Sequence, residues 1–138
     1  WEDDPIGIDH AVDHIANILG IVQAKFPNKK LLIGETGWPS EGRMREAALP
    51  SPANQARFIR GFVNLAEARG IDYNVIEAFD QSWKRAQEGT VGGYWGLYDS
   101  ARAPKFPFAG PVSELPLWRL YCAASVALAD AMISMAAA

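Results

Sequence analysis

Glu35 is the carboxylate whose neighbours most favour chemistry. It stands in Gly34-Glu35-Thr36-Gly37-Trp38-Pro39-Ser40, where a glycine on either side lets backbone approach closely. Trp38 offers a flat apolar plate beside the carboxylate, and Pro39 stiffens the turn that carries it. Sugar rings present flat C–H faces, so an aromatic plate next to a carboxylate suits glycoside chemistry. A second polar pair, Asp80 and Gln81, also closes an apolar run. In β/α folds substrates bind outside the carboxyl ends of the strands, so these three side chains are candidates for one site. By position alone, strand-end polar residues serve equally well as helix caps or loop anchors.

The elements that position them are legible from periodicity. From Asp9, apolar residues fall at Val12, Ile15, Ala16, Leu19, Val22 and Phe26, the spacing of one helix face. Asp9 is the expected N-cap, and Pro27-Asn28 the stop. Lys30 to Glu35 is a short apolar run ending in a carboxylate, which predicts a parallel strand buried on both faces. A loop rich in Pro, Gly and Ser leads to Ser51-Pro52, an N-cap followed by the first helical residue. Ile59, Phe62, Val63 and Ala66 mark the buried stripe of a second helix, closed by Arg69-Gly70. A second strand is predicted over Tyr73 to Phe79, completing a β-α-β unit. Glu77 lies inside it, with its direction undetermined. Beyond Lys84, glycines alternate with Tyr94, Trp95 and Tyr98 in an irregular stretch, and from Leu117 the composition turns to Ala, Leu, Ile and Met.

Several other features carry no chemistry. His10 and His14 sit four apart on the first helix, but no third metal ligand accompanies them, so a solvated face is the expectation. Gly89, Gly92, Gly93 and Gly96 precede no Lys-Ser or Lys-Thr helix start and form no phosphate loop. Arg57, Arg60 and Arg69 read as a solubilising face. A single cysteine, Cys122, rules out an intramolecular disulfide and a cysteine-rich zinc site. Net charge of −3 argues against a nucleic-acid partner. No metal or cofactor is expected. No charged and apolar leader stands at Trp1.

The stretch Lys29 to Gly42 closely resembles the signature of family 17 glycoside hydrolases, the β-1,3-glucanases and related β-glucan transglycosylases. Phe79-Asp80-Gln81-Ser82-Trp83-Lys84 and Tyr94-Trp95-Gly96-Leu97-Tyr98 resemble that family's last barrel strand and closing segment, and Trp1-Glu2 the end of the strand before the nucleophile strand. The resemblance implies an α/β fold, the C-terminal part of a (β/α)₈ TIM barrel with about two to three strands and their helices. It implies a retaining mechanism with Glu35 as nucleophile, and a second carboxylic acid about 5–5.5 Å away as acid/base. In the family that acid is the Glu of an Asn-Glu pair, a dipeptide absent from this sequence; the acid/base is therefore expected outside the chain, and the chain alone to be inactive. Lys84 matches a position near the nucleophile, where a cation favours the ionised carboxylate. Gln81 stands where plant members carry a glutamate, which leaves it a hydrogen bond to a sugar hydroxyl. Glu88 matches another family carboxylate loosely. Trp1, Trp38 and Trp83 are the candidate sugar platforms, with Glu2, Asp80, Gln81 and Lys84 completing the substrate-binding set. Trp95 reads equally as packing.

The expected organisation is a barrel portion over residues 1–112 and an apolar tail over 113–138. A whole barrel takes about 250 residues, so the 138 here are expected to be its C-terminal portion. For the run Leu120 to Ala138, interrupted by Asp130, two readings stand: the start of a membrane helix and a C-terminal packing helix. Asp3-Asp4-Pro5-Ile6-Gly7 with that tail resembles bacterial, envelope-associated members, which implies a location in the cell envelope. The expected partner is a β-glucan oligo- or polysaccharide. The alternative function is a non-catalytic carbohydrate-binding module built on Trp38, Trp83 and Trp1.

Overall fold

The computed structural model describes residues 4–115 and 117–136. Helix α1 (Ile8–Lys25) leads into strand β1 (Leu32–Thr36), helix α2 (Pro52–Arg69) and strand β2 (Asp72–Val75). A 3-10 turn at Ser82–Lys84 runs into the single helical turn α3 (Arg85–Glu88), and α4 (Trp118–Ala136) ends the described chain. β1 and β2 pair in parallel with α2 as the crossover, the predicted β-α-β unit. A two-stranded parallel sheet with helices α1 and α2 against each other is the arrangement expected of part of a TIM barrel.

The core forms because α2 presents one apolar stripe to the sheet. Phe58, Ile59, Phe62 and Ala66 are buried together with Ala11 of α1, Trp38 and Phe106. Phe62 packs edge-on against Tyr73 with ring centroids 4.9 Å apart, and Phe58 bridges Phe62 and Trp38. The ends of α2 are those the sequence predicts. Ser51 Oγ accepts from the Asn54 amide at 3.0 Å, and Gly70 closes the helix at φ 62°, a left-handed conformation that costs glycine least.

Three expectations change. The N-cap of α1 is Gly7 rather than Asp9; Asp9 lies in the first turn and pairs with Arg57 of α2 at 2.5 Å, an interhelix contact invisible to local pattern. β1 is not buried on both faces: Leu32, Gly34 and Glu35 are exposed, because β2 and the helices cover only part of it. Finally, the second strand is regular only to Val75. From Glu77 the chain changes partner and pairs in parallel with the stretch 95–98, through Glu77 N–H to Trp95 O, Leu97 N–H to Glu77 O and Tyr98 N–H to Ala78 O.

The tail is a helix, α4, whose described residues are all exposed.

Candidate active site

Glu35 owes its place to a bulge. Leu32 and Ile33 pair with Asp72 and Tyr73, but Thr36 pairs with Val75. Gly34 and Glu35 therefore face Asn74 alone, and the extra residue bends β1 and re-aims its side chains. Glu35 emerges exposed at the carboxyl end of β1, on the wall of a cavity of about 550 Å³ that also involves Thr36, Trp38, Ile76, Trp95 and α1. Of the two flanking glycines, Gly37 is needed sterically: a Cβ there strikes the Ile76 carbonyl, whereas one at Gly34 meets open space.

Trp38 is not the open plate expected of it. Its ring is 3 % exposed, covered by Phe58, and its Nε1 donates to Leu49 O at 3.0 Å. An indole flanked by apolar helix residues folds inward for the same reason it would bind a sugar, its large apolar area. Trp83 is the opposite case, 60 % exposed. Trp1 and Glu2, the other members of the expected set, lie outside the described residues.

The polar residues after β2 divide into two groups. Glu77 Oε2 accepts from Lys84 Nζ and from Gln81 Nε2, each at 2.6 Å, and Gln81 Oε1 accepts from Trp83 Nε1 at 3.0 Å. The Lys84 ammonium is held above its ordinary range by the hydrogen bond it donates to Glu77, against the effect of burial, with smaller help from the charges of Glu77, Glu88 and Glu35. Glu35 is the most weakly felt of these carboxylates at Lys84.

Asp80 belongs to the other group. Its Oδ1 is 2.6 Å from Lys105 Nζ and accepts from Gly96 N–H at 3.0 Å. Lys105 also donates to Ser40 Oγ at 2.7 Å and to Tyr94 O at 3.1 Å. Burial pushes the Lys105 ammonium below its ordinary range, although Asp80 pulls it up. This buried pair ties the loop after β1 to the segment after β2 and to the closing stretch. Asp80 is thereby committed to protein partners in this structure rather than presented to a ligand.

Sequence reasoning missed Lys105, Ser40 and Gln55. Gln55, fully buried on α2, donates to the carbonyls of Trp95 and Gly96; only its polarity on an apolar helix face signals it. Lys105 gives no local signal, since its partners lie far away in sequence. Among the described residues, no group of three or more metal-ligating side chains comes together, and His14 faces Asp4 at 3.9 Å.

Comparisons with known proteins bear on the family and the fold. The BtgE/BtgC glycoside hydrolase domain family matches residues 1–96. A glucan 1,3-beta-glucosidase of Saccharomyces cerevisiae is 33% identical over 98 residues, which cover 68% of this chain and 31% of that protein. A glycoside hydrolase family 17 beta-1,3-glucanosyltransferase from Rhizomucor miehei superposes with a TM-score of 0.67 at 27% identity, covering 72% of this chain and 36% of that one. An active-site mutant of the Rhizomucor miehei enzyme, in complex with laminaritriose, gives a TM-score of 0.66 at 26% identity over the same shares. The chain spans about a third of the length of these relatives. It belongs to the BtgE/BtgC glycoside hydrolase domain family, of the family 17 type, and carries part of the barrel of that fold.

Proposed function

We propose that this chain supplies the nucleophile side of a retaining enzyme that cleaves β-1,3-glucans or transfers between them. Glu35 is the nucleophile: its carboxylate attacks the anomeric carbon and forms a covalent glycosyl-enzyme while the leaving oxygen takes a proton. The observation that supports this most is the bulge in β1, which leaves Glu35 exposed beside a cavity of about 550 Å³. The proton donor comes from outside these 138 residues, whose sequence has no Asn-Glu pair. Water or an acceptor sugar then resolves the same intermediate, giving hydrolysis or transfer.

Gln81, Trp83 and Lys84 form the sugar-facing polar edge, with Trp83 as the open plate. The substrate is a β-1,3-glucan oligo- or polysaccharide, the class to which the laminaritriose bound by the Rhizomucor miehei mutant belongs. We place the domain in the cell envelope, with α4 at a membrane. The 19 residues of α4 span roughly 28 Å, close to a bilayer's apolar thickness. Its serine hydroxyls are satisfied within the helix, Ser125 donating to Tyr121 O and Ser134 to Asp130 O.

The test is covalent trapping in the full-length protein with a 2-deoxy-2-fluoroglucosyl probe and mass spectrometry of the labelled peptide. The label is expected on Glu35 and is expected to vanish in Glu35→Gln. Full labelling of that variant removes Glu35 from the role. Binding of laminaritriose with no trapping in either protein supports the carbohydrate-binding module instead.

A further inference from the structure

Glu77 is the charged side chain of the extended run Tyr73 to Phe79, and both its backbone groups are locked in the ladder with Trp95 and Leu97. Its carboxylate is used unevenly. One oxygen, Oε2, accepts both the Lys84 ammonium and the Gln81 amide. The other, Oε1, is buried and takes no hydrogen bond among the described residues. An anion placed only for stability would share its donors between both oxygens, because an unsatisfied buried acceptor opposes folding. What this arrangement does achieve is orientation.

The direction of each bond follows from the donor inventory. The indole Nε1–H of Trp83 only donates, so the Gln81 amide must turn its oxygen to the indole and its NH₂ to Glu77. Glutamate at position 81 cannot do this, since two carboxylates would then meet. The carboxylate, 12 % exposed, thus governs a ring that is 60 % exposed. We propose that Glu77 is a positioning residue of the sugar site, whose single oxygen places the Lys84 ammonium and, through the Gln81 amide, the open ring of Trp83. The proposal rests on the reading of Lys84 and Trp83 as parts of that site. It makes the Lys84 cation and the sugar plate one rigid unit rather than two independent side chains.

The test reads Lys84 and Trp83 separately, without turnover. Lysine ammonium NMR follows the titration of Lys84, assigned with Lys84→Arg, and 5-fluorotryptophan labelling follows Trp83 during a laminaritriose titration. In Glu77→Gln the midpoint of Lys84 is expected to fall by about one pH unit, because the bond and charge of Glu77 are lost and the weaker pulls of Glu88 and Glu35 remain. The laminaritriose Kd read at Trp83 is expected to rise about tenfold. Gln81→Met keeps the ion pair, so Lys84 should titrate as in the wild type while the Trp83 response weakens. An unchanged Lys84 midpoint in Glu77→Gln overturns the proposal, as does an unchanged Trp83 response in Gln81→Met. If Lys84 shifts but Trp83 responds to laminaritriose in no variant or wild type, the sugar reading falls and the clamp alone survives.

Discussion

Lys105 and Asp80 show how a side chain can matter without meeting a ligand. Both side chains are about nine-tenths buried, and the ammonium finds three acceptors from distant segments. Removing one partner leaves the other charge buried and unpaired, so Lys105→Met is expected to destabilise the fold by about 3–5 kcal/mol. Adding Asp80→Asn should recover part of that loss, and urea unfolding of the single and double variants measures it. Lys84 leads to a pH prediction. Its pKa is raised on folding, so its stabilising contribution is fully present below pH 10.5 and is lost as pH rises through the higher folded value. The melting-temperature gap between wild type and Lys84→Met should be flat below that pH and shrink above it. A gap that widens with pH contradicts the assignment.

At the scale of elements, α2 was the most readable part of the chain. Its cap, its proline, its apolar stripe and its closing glycine are all local features, and the helix runs between them as Pro52–Arg69. Ser51→Ala is expected to cost about 1 kcal/mol through the lost bond to Asn54 N–H, with the bond from Ser51 to Glu114 lost as well. Chemical denaturation measures this directly. The strands were less readable. The partner change at Glu77 depends on Gly96, where a Cβ would strike Asp80 N and Phe79 C. The sequence shows that glycine but not what it approaches. Nor does local pattern reveal the bulge at Glu35, because an inserted residue is defined by the register of the neighbouring strand.

At the scale of the whole molecule, α4 stands apart from the packed unit. Removing residues 117–138 is expected to leave the melting temperature of the remainder unchanged, since the described residues of α4 are all exposed. It should also abolish cosedimentation with phosphatidylcholine vesicles, if α4 places the domain at a membrane. Retained cosedimentation sinks that assignment.

Local sequence was enough for the ends of α2, the β-α-β order and the carboxylate between two glycines at a strand end, together with the motifs that announced the family. All of these depend on residues close together along the chain. Only the tertiary structure decided which aromatic faces outward. Trp38 and Trp83 are alike in type, yet Trp38 is covered by Phe58 of α2 while Trp83 is left open beside Gln81. Only the tertiary structure assigned Asp80 to Lys105 and Glu77 to Lys84. A buried charge takes the partner that the packing brings within reach, and that choice is made by contacts between distant segments.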